Sequence, residues 1–281
     1  MQKPPDLTDR AALLRNRTRA LAMAKPAMFL QQLAADEIQE RLKMVNRTFT
    51  APAIIGPFPD VWADVAPGAP IVPDQDVLNL TPGDHDLVIH ALSLHWANDL
   101  VGQLVQARRA LKPDGLFLAV LFGGQTLHEL RAVLAQSESQ LTGGLSPRIA
   151  PMAEIRDLGG LLQRAGFALP VADSLTQNVT YNSMTHLMRD LRAMGEGNAM
   201  AARRRRPVRR AVFAQAGDLY KSSFATPDGI NATFEMVFLT GWAPAPTQPK
   251  PLRPGSAQQR LADALNTKET PMTPTSGGTN D

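Results

Sequence analysis

The sequence contains no cysteine, which excludes disulfides, thiolate nucleophiles and thiolate metal sites. The same absence is typical of a reducing compartment, and we predict a cytoplasmic location. There is also no strong excess of one charge, because 29 Lys and Arg face 26 Asp and Glu. A formal net charge of +3 falls well short of the basic footprint of most nucleic-acid-binding proteins, so no nucleic-acid partner is predicted.

Long hydrophobic runs are missing as well. The best apolar run, residues 116–122, is far shorter than the roughly 20 residues that cross a bilayer, so the sequence predicts no transmembrane segment. Metal-ligand spacing is also absent. The five histidines never pair with carboxylates at ligand spacing on a helix, and no metal site is predicted.

Two arginine-rich stretches are present instead. Near the N-terminus, the prediction is the solvated face of a helix that carries Arg10, Arg15, Arg17 and Arg19. The alternative is a transit peptide, which the acidic residues Asp6 and Asp9 disfavour. A second cluster, between residues 203 and 210, suits an acidic protein partner, a phosphate or an anionic membrane surface, so peripheral membrane contact stays open. A solvated run before a helix explains the same cluster, and the residues alone leave both interpretations open.

Composition divides the chain into three parts. Residues 1–46 carry apolar positions at helical spacing and predict N-terminal helices. Residues 47–242 hold the short apolar runs and predict one α/β domain. Residues 243–281 are rich in Pro, Gln, Ser and Thr, and they predict a largely disordered tail.

Within the α/β domain, strand and helix patterns alternate. The clearest unit combines an apolar strand at 86–92, a helix capped by Asp99 and a second apolar strand at 116–122. This order gives a right-handed parallel crossover. An apolar run at 51–55 predicts the first strand, and residues 74–80 predict a loop with a brief third strand. Together these patterns predict a doubly wound, mostly parallel sheet.

Polar and aromatic residues follow the strand at 86–92. In open α/β sheets, ligands bind at the carboxyl ends of the strands. In that position His95 can act as a general base or orient an acceptor, and Trp96 can wall an apolar pocket. The alternative is that both side chains simply pack under the next helix, and the residues alone do not decide.

The segment at 92–99, Leu-Ser-Leu-His-Trp-Ala-Asn-Asp, resembles the stretch after the fourth strand of S-adenosylmethionine-dependent methyltransferases. Among these it is similar to the branch of the biotin-pathway malonyl-acyl-carrier-protein O-methyltransferases. It is closer still to the mitochondrial complex I assembly factor to which arginine hydroxylation is assigned. Further segments carry the same resemblance: 121–131, 143–147, 157–167, 188–198, 232–234 and 241–242. The resemblance implies a seven-stranded, Rossmann-like methyltransferase sheet with the last strand antiparallel.

The resemblance also implies an S-adenosylmethionine site. Ala91 and Leu92 match positions on the cofactor side of the family's pocket. Asp74, followed by Gln75, matches the position whose carboxylate contacts the adenine amino group. The family's ribose-binding acidic residue after the second strand has no clear counterpart in this sequence.

The turn after the first strand departs from the family pattern. Of the usual Gly-x-Gly, which lets the backbone approach the cofactor, only Gly56 remains. Pro57 and Pro59 remove two amide donors from the same turn. Together with the lost ribose carboxylate, this predicts cofactor binding weakened about a hundredfold or more. The alternative is a variant loop that still holds the cofactor.

A second candidate site lies in residues 188–198. Arg189, Arg192 and Glu196 stand at i, i+3 and i+7, so a continuous helix would bring them near one face. With Trp96, they are predicted to grip an acidic or peptide acceptor. The alternative is a surface helix whose ion pairs have no role in binding.

Three hypotheses for function follow from the resemblance. The first is an S-adenosylmethionine-dependent methyltransferase-type protein with His95 on the acceptor side, acting on a protein such as a complex I subunit. The second is a degenerate methyltransferase fold that serves as an assembly factor or binding module without turnover. The third is an arginine hydroxylase variant of the same fold.

Overall fold

The computed structural model describes residues 6–249, 263, 266 and 267. The apolar runs form seven strands of one sheet: β1 (Pro52–Ile55), β2 (Ile71–Val72), β3 (His85–His90), β4 (Leu111–Phe122), β5 (Ala168–Tyr181), β6 (Ala225–Thr226) and β7 (Gly229–Trp242). Six of them follow the order β2-β1-β3-β4-β7-β5, and the short β6 pairs with β7.

The strand directions match a mostly parallel sheet. Neighbours among β2, β1, β3 and β4 pair in parallel, whereas β7 runs antiparallel to β4, β5 and β6. Six of the seven strands therefore point the same way. The predicted doubly wound, Rossmann-like α/β sheet with seven strands and an antiparallel last strand is confirmed.

Helices cover both faces of the sheet. They are α1 (Arg10–Leu21), α2 (Phe29–Met44), α3 (Pro59–Trp62), α4 (Leu100–Ala110), α5 (His128–Thr142), α6 (Ile155–Arg164), α7 (Met184–Ala193) and α8 (Arg210–Ser223), with a 3₁₀ turn at Leu94–Trp96. Alternate residues of β4 enter two different cores: Leu118 and Val120 pack on one face, and Phe117 and Ala119 on the other. Because both faces are buried there, residues 116–122 of this strand are apolar throughout.

The predicted third strand at 74–80 is wrong, since these residues form a loop. Two glutamines of α4 form hydrogen bonds with the backbone groups that a strand would pair with its neighbour. The side chain of Gln106 accepts from Leu78 N at 2.8 Å and donates to the Asp76 carbonyl at 3.0 Å. Gln103 Nε2 donates to the Gln75 carbonyl at 2.8 Å. The loop is therefore fixed by a helix rather than by a neighbouring strand.

The N-terminal helices pack onto the segment around α7. Asp9 N donates to the Ala199 carbonyl at 2.8 Å, and Ala27 N donates to the Ala193 carbonyl at 3.0 Å. The described residues up to Ala245 form one compact unit. The tail predicted to be disordered lies mostly outside the described residues. No helix in the described part of the chain is long and apolar enough to cross a membrane.

Candidate functional site

The carboxyl ends of β1, β3 and β4 meet at one edge of the sheet, where the segments that follow them carry the predicted site residues. After β3 the chain turns sharply at Leu92, whose φ is 36°. The 3₁₀ turn then places the imidazole of His95 against Phe122, at the end of β4, with ring centroids 4.9 Å apart. Trp96 follows in the same turn and is buried.

A cavity of about 250 Å³ opens beside these two residues. Its wall is mainly apolar and includes Trp96, Phe122, Leu130, Met188, Phe213 and Phe234. Three charged side chains also line it: Arg148, Arg192 and Glu196. The cavity thus combines aromatic walls with a few polar groups, which is the usual composition of a binding site.

Glu196 is the most buried charged group of this cavity, since its side chain is only 9% exposed. Its Oε2 accepts from the indole Nε1 of Trp96 at 2.7 Å and lies 3.2 Å from His95 Nε2. Its Oε1 has no hydrogen-bond partner among the described residues. Burial acts to raise the pKa of Glu196, but His95, Arg17 and the Trp96 indole outweigh it and hold the pKa below its ordinary value.

A backbone turn brings Glu196 to this position. The predicted helical face of Arg189, Arg192 and Glu196 is not formed, because α7 ends at Ala193. Gly195 adopts a φ of +80°, and Glu196 N donates to the Leu191 carbonyl at 2.9 Å, which closes the helix end. Arg192 and Glu196 therefore line the cavity, whereas Arg189 is exposed outside it.

The predicted cofactor side is closely packed. A Cβ placed on Gly56 would lie 2.8 Å from the Cβ of Ala91, so the turns after β1 and β3 touch each other. Phe58, in the β1 turn, is 2% exposed and Leu92 is 1% exposed. The Phe58 ring reaches to within 3.5 Å of where a Cβ on Gly195 would lie. The turns after β1 and β3 therefore pack directly on each other, with the Phe58 ring buried beside them.

Asp74 is bound by an arginine that the sequence interpretation had assigned to solvent. Both carboxylate oxygens of Asp74 accept from Arg17 Nη1, at 2.8 and 3.0 Å. Arg10 donates to the backbone carbonyl of Asp74. The next residue, Gln75, is exposed, and its backbone carbonyl accepts a hydrogen bond from the Gln103 side chain. The carboxylate predicted to contact adenine is thus already paired within the chain.

The solvated face predicted for the N-terminal arginines is wrong for Arg17, which is 6% exposed. The signal was available: Arg17 lies four residues after Leu13 and three before Ala20, and both of these are buried. At that spacing the three side chains share one helical face. The arginine-rich composition of the segment concealed this apolar stripe.

His90 ends β3 beneath the same edge and is fully buried. Its Nε2 lies 2.8 Å from Gln103 Oε1, an oxygen that can only accept, so Nε2 carries the proton and donates it. Burial lowers the pKa of His90 to about 4, so the ring is neutral at neutral pH.

These observations test the site for S-adenosylmethionine. Gly56 contacts Ala91, the Phe58 ring is buried behind them, and the Asp74 carboxylate is bound by Arg17. In this arrangement the residues present do not fit the cofactor. Among the described residues, no cluster of three or more His, Asp or Glu forms a metal site.

No protein-family model matches the chain. A Danio rerio protein named mitochondrial arginine-hydroxylase NDUFAF5 is 39% identical over 198 residues, which are 70% of this chain and 61% of that protein. The Homo sapiens protein of the same name is 39% identical over 192 residues, covering 68% and 55%. The malonyl-[acyl-carrier protein] O-methyltransferase of Xylella fastidiosa is 33% identical over 178 residues, covering 63% and 58%.

The chain thus spans less than two thirds of the length of each of these relatives. Among solved structures, a Haemonchus contortus phosphoethanolamine N-methyltransferase 2 with S-adenosyl-L-methionine is 13% identical, covering 75% of this chain and 53% of that one, at a TM-score of 0.39. That score is too low to assign the fold, which rests on the sheet topology.

The cytoplasmic location predicted from the sequence is wrong, because the NDUFAF5 relatives are named as mitochondrial proteins. A lack of cysteine indicates a reducing environment but does not name a compartment. The resemblance seen in the sequence is confirmed: this chain is a homologue of the NDUFAF5 arginine-hydroxylases and, at lower identity, of the malonyl-[acyl-carrier protein] O-methyltransferases.

Proposed function

We propose that this protein acts in respiratory complex I assembly by binding an arginine side chain of a complex I subunit in the cavity beside Glu196. The single observation that supports this most is the Glu196 carboxylate. One of its oxygens is fixed by Trp96, and the other is buried with no partner in the described part of the chain. The relatives named arginine-hydroxylases suggest the chemistry of the ligand.

The charge of Glu196 suits a guanidinium. A buried carboxylate oxygen without a hydrogen-bond partner is costly, and a ligand that supplies a charged donor removes that cost. Arginine is better suited than lysine, because its planar guanidinium forms parallel hydrogen bonds to a carboxylate and stacks on aromatic rings. Trp96 and Phe122 provide such rings in the cavity wall.

The size of the cavity also favours a single side chain. Its volume of about 250 Å³ lies below the roughly 300–1,000 Å³ of typical small-molecule sites. Arg192 is exposed at the same cavity and favours an acidic residue next to the acceptor arginine. In this proposal His95 does not act as a base but holds the Glu196 carboxylate in place.

Peptide binding tests this function. Fluorescein-labelled peptides that differ only in one central residue, arginine or its neutral isostere citrulline, are titrated with the full chain. We expect the arginine peptide to bind at least about tenfold more tightly, and Glu196→Gln to abolish that preference. Glu40→Gln is the matched control, because Glu40 pairs with Lys43 on the surface. Equal binding of both peptides by the wild-type protein would rule out the proposal.

The link to complex I is tested in cells that lack the protein. Wild-type protein and Glu40→Gln should restore complex I on native gels, and Glu196→Gln should not. Restoration by Glu196→Gln would show that assembly does not depend on this cavity.

Methyl transfer from S-adenosylmethionine is the second candidate, and the homology to malonyl-[acyl-carrier protein] O-methyltransferases favours it. Cofactor binding would require Arg17 and Phe58 to leave the positions described above. Calorimetry separates the two candidates: we expect no heat with S-adenosylmethionine or S-adenosylhomocysteine at about 1 mM. Micromolar binding of either ligand would support the methyltransferase instead.

A further inference from the structure

Arg17 is buried with only part of its guanidinium satisfied. Its side chain is 7% exposed, and Nη1 alone is bonded, to the two oxygens of Asp74. Among the described residues, Nε and Nη2 have no hydrogen-bond partner. Buried donors are rarely left unpaired, so a second acceptor would stabilise Arg17.

Glu196 offers an unpaired acceptor oxygen close to Arg17 in the fold. The stem of Arg17 packs on Gly195, where an added Cβ would lie 3.1 Å from Arg17 Cγ and 3.2 Å from its Cα. Glu196 is the next residue, and its Oε1 is buried and equally without a partner. The charge of Arg17 acts on the pKa of Glu196, after burial and His95, so the two groups interact electrostatically although no hydrogen bond joins them.

Arg17 carries the same chemical group as the proposed ligand. If its guanidinium turned from Asp74 to Glu196, it would occupy the carboxylate that an acceptor arginine needs. The pairing of Nη1 with both Asp74 oxygens opposes this movement. Asp74 is itself fixed, because Arg10 donates to its carbonyl and Arg10 Nη2 lies 3.6 Å from its Oδ1.

We propose that Asp74 is a positioning residue that holds Arg17 away from Glu196 and so keeps the carboxylate of the cavity open for an acceptor arginine. This inference rests on the proposed function. It gives Asp74 a role different from the adenine contact implied by the family resemblance. A purely structural role, in which the pair only fastens α1 to the loop at 74–80, predicts lower stability without a specific effect on binding.

The arginine and citrulline peptides described above test the inference. Asp74→Asn releases Arg17, and we expect it to weaken binding of the arginine peptide at least tenfold while the citrulline peptide changes little. Replacing Arg17 as well, in Arg17→Met/Asp74→Asn, removes the competitor and should restore affinity to within about threefold of wild type. A structural role cannot produce this rescue, since the double variant lacks the ion pair altogether.

Two further variants keep the test decisive. Arg17→Met alone should bind the arginine peptide at least as tightly as wild type, which covers the case in which Asp74→Asn does not fold. Asp173→Asn is the matched control: it breaks the Arg41–Asp173 pair between α2 and β5 and should leave binding unchanged.

The outcomes separate the two proposals. A wild-type protein that does not distinguish arginine from citrulline overturns both. If the wild type does distinguish them, then unchanged binding by folded Asp74→Asn overturns only the role of Asp74. Failure of the double variant to recover, or loss of binding in Arg17→Met, also overturns that role alone.

Discussion

Gly56 and Ala91 lie in direct contact across the edge of the sheet. A Cβ on Gly56 would lie 2.8 Å from the Ala91 Cβ and 3.3 Å from its carbonyl oxygen. The family resemblance implies that a glycine at this position allows close approach of a cofactor. In this protein, Gly56 instead allows close approach of the turn that follows β3. Packing within the chain is therefore sufficient reason for a glycine at this position.

Replacing Gly56 by alanine should lower the free energy of unfolding by about 1–3 kcal/mol, because the added methyl group must displace the Ala91 turn. Chemical denaturation measures this. The matched control is Gly160→Ala in α6, where no atom lies within 4 Å of the added Cβ. That change should be neutral or stabilise by up to about 1 kcal/mol. Equal effects of the two changes would contradict the close contact.

Gly195 should resist substitution for a different reason. Its φ of +80° is unfavourable for alanine, and the added Cβ would press on Arg17. We expect Gly195→Ala to cost at least about 1–2 kcal/mol of stability and to weaken arginine-peptide binding, since Glu196 follows directly. Gly217→Ala in α8, with nothing within 4 Å, is the control and should leave binding unchanged. An unaltered melting temperature in Gly195→Ala would argue against the described turn.

Trp96→Phe tests the hydrogen bond that fixes Glu196. The ring that lines the cavity remains, but the Nε1 donor 2.7 Å from Glu196 Oε2 is lost. A carboxylate held less firmly should bind the arginine peptide about tenfold more weakly, a loss of about 1.4 kcal/mol. Trp242→Phe, on the half-buried tryptophan at the end of β7, should leave peptide affinity unchanged. Equal affinities in wild type and Trp96→Phe would remove the indole from the mechanism.

His90 should make stability fall in mild acid. Its pKa in the folded protein is lowered to about 4, mainly by burial, from an ordinary value of 6.5. Below pH 6.5, His90 is protonated in the unfolded chain but stays neutral in the folded protein. The stability that is present above pH 6.5 is therefore lost as the pH falls toward 4. Between about pH 7.5 and pH 5 this amounts to about 2 kcal/mol.

Denaturation at several pH values checks this against His90→Asn, which cannot titrate. The variant should be less stable overall, because the bond to Gln103 Oε1 is altered, but its stability should depend less on pH over this range. Parallel pH profiles for the two proteins would contradict the assignment of a neutral, buried His90.

Local sequence patterns were sufficient for the central strands but not for the loop beside them. The runs at 86–92 and 116–122 are apolar because both faces of the sheet are covered, and this leaves a direct mark on the sequence. Residues 74–80 contain only three apolar residues, Val77, Leu78 and Leu80. Their backbone groups, however, are taken by Gln103 and Gln106, about one helix later in the chain. Such long-range pairing has no local signature.

The residues of the candidate site were likewise predicted only in part from the sequence. His95, Trp96 and Glu196 were singled out from the sequence, and the structure brings them together through hydrogen bonds to one carboxylate oxygen. The predicted geometry of Glu196 assumed a continuous helix, whereas the left-handed Gly195 redirects the chain. The burial of Arg17 was predictable from the helical face that it shares with Leu13 and Ala20, but its partner was not, because Asp74 is 57 residues away and such a pairing leaves no local pattern.

The position of β7 has a consequence for how this chain matures. The last strand, Gly229–Trp242, lies between β4 and β5 and is the only described strand that pairs with β5. During translation β5 therefore emerges long before its partner, and its backbone groups remain unpaired until Trp242 has left the ribosome. An open strand edge of that length is prone to association with other chains. Early translation arrest or truncation before Gly229 should thus yield an aggregating product rather than a smaller folded one.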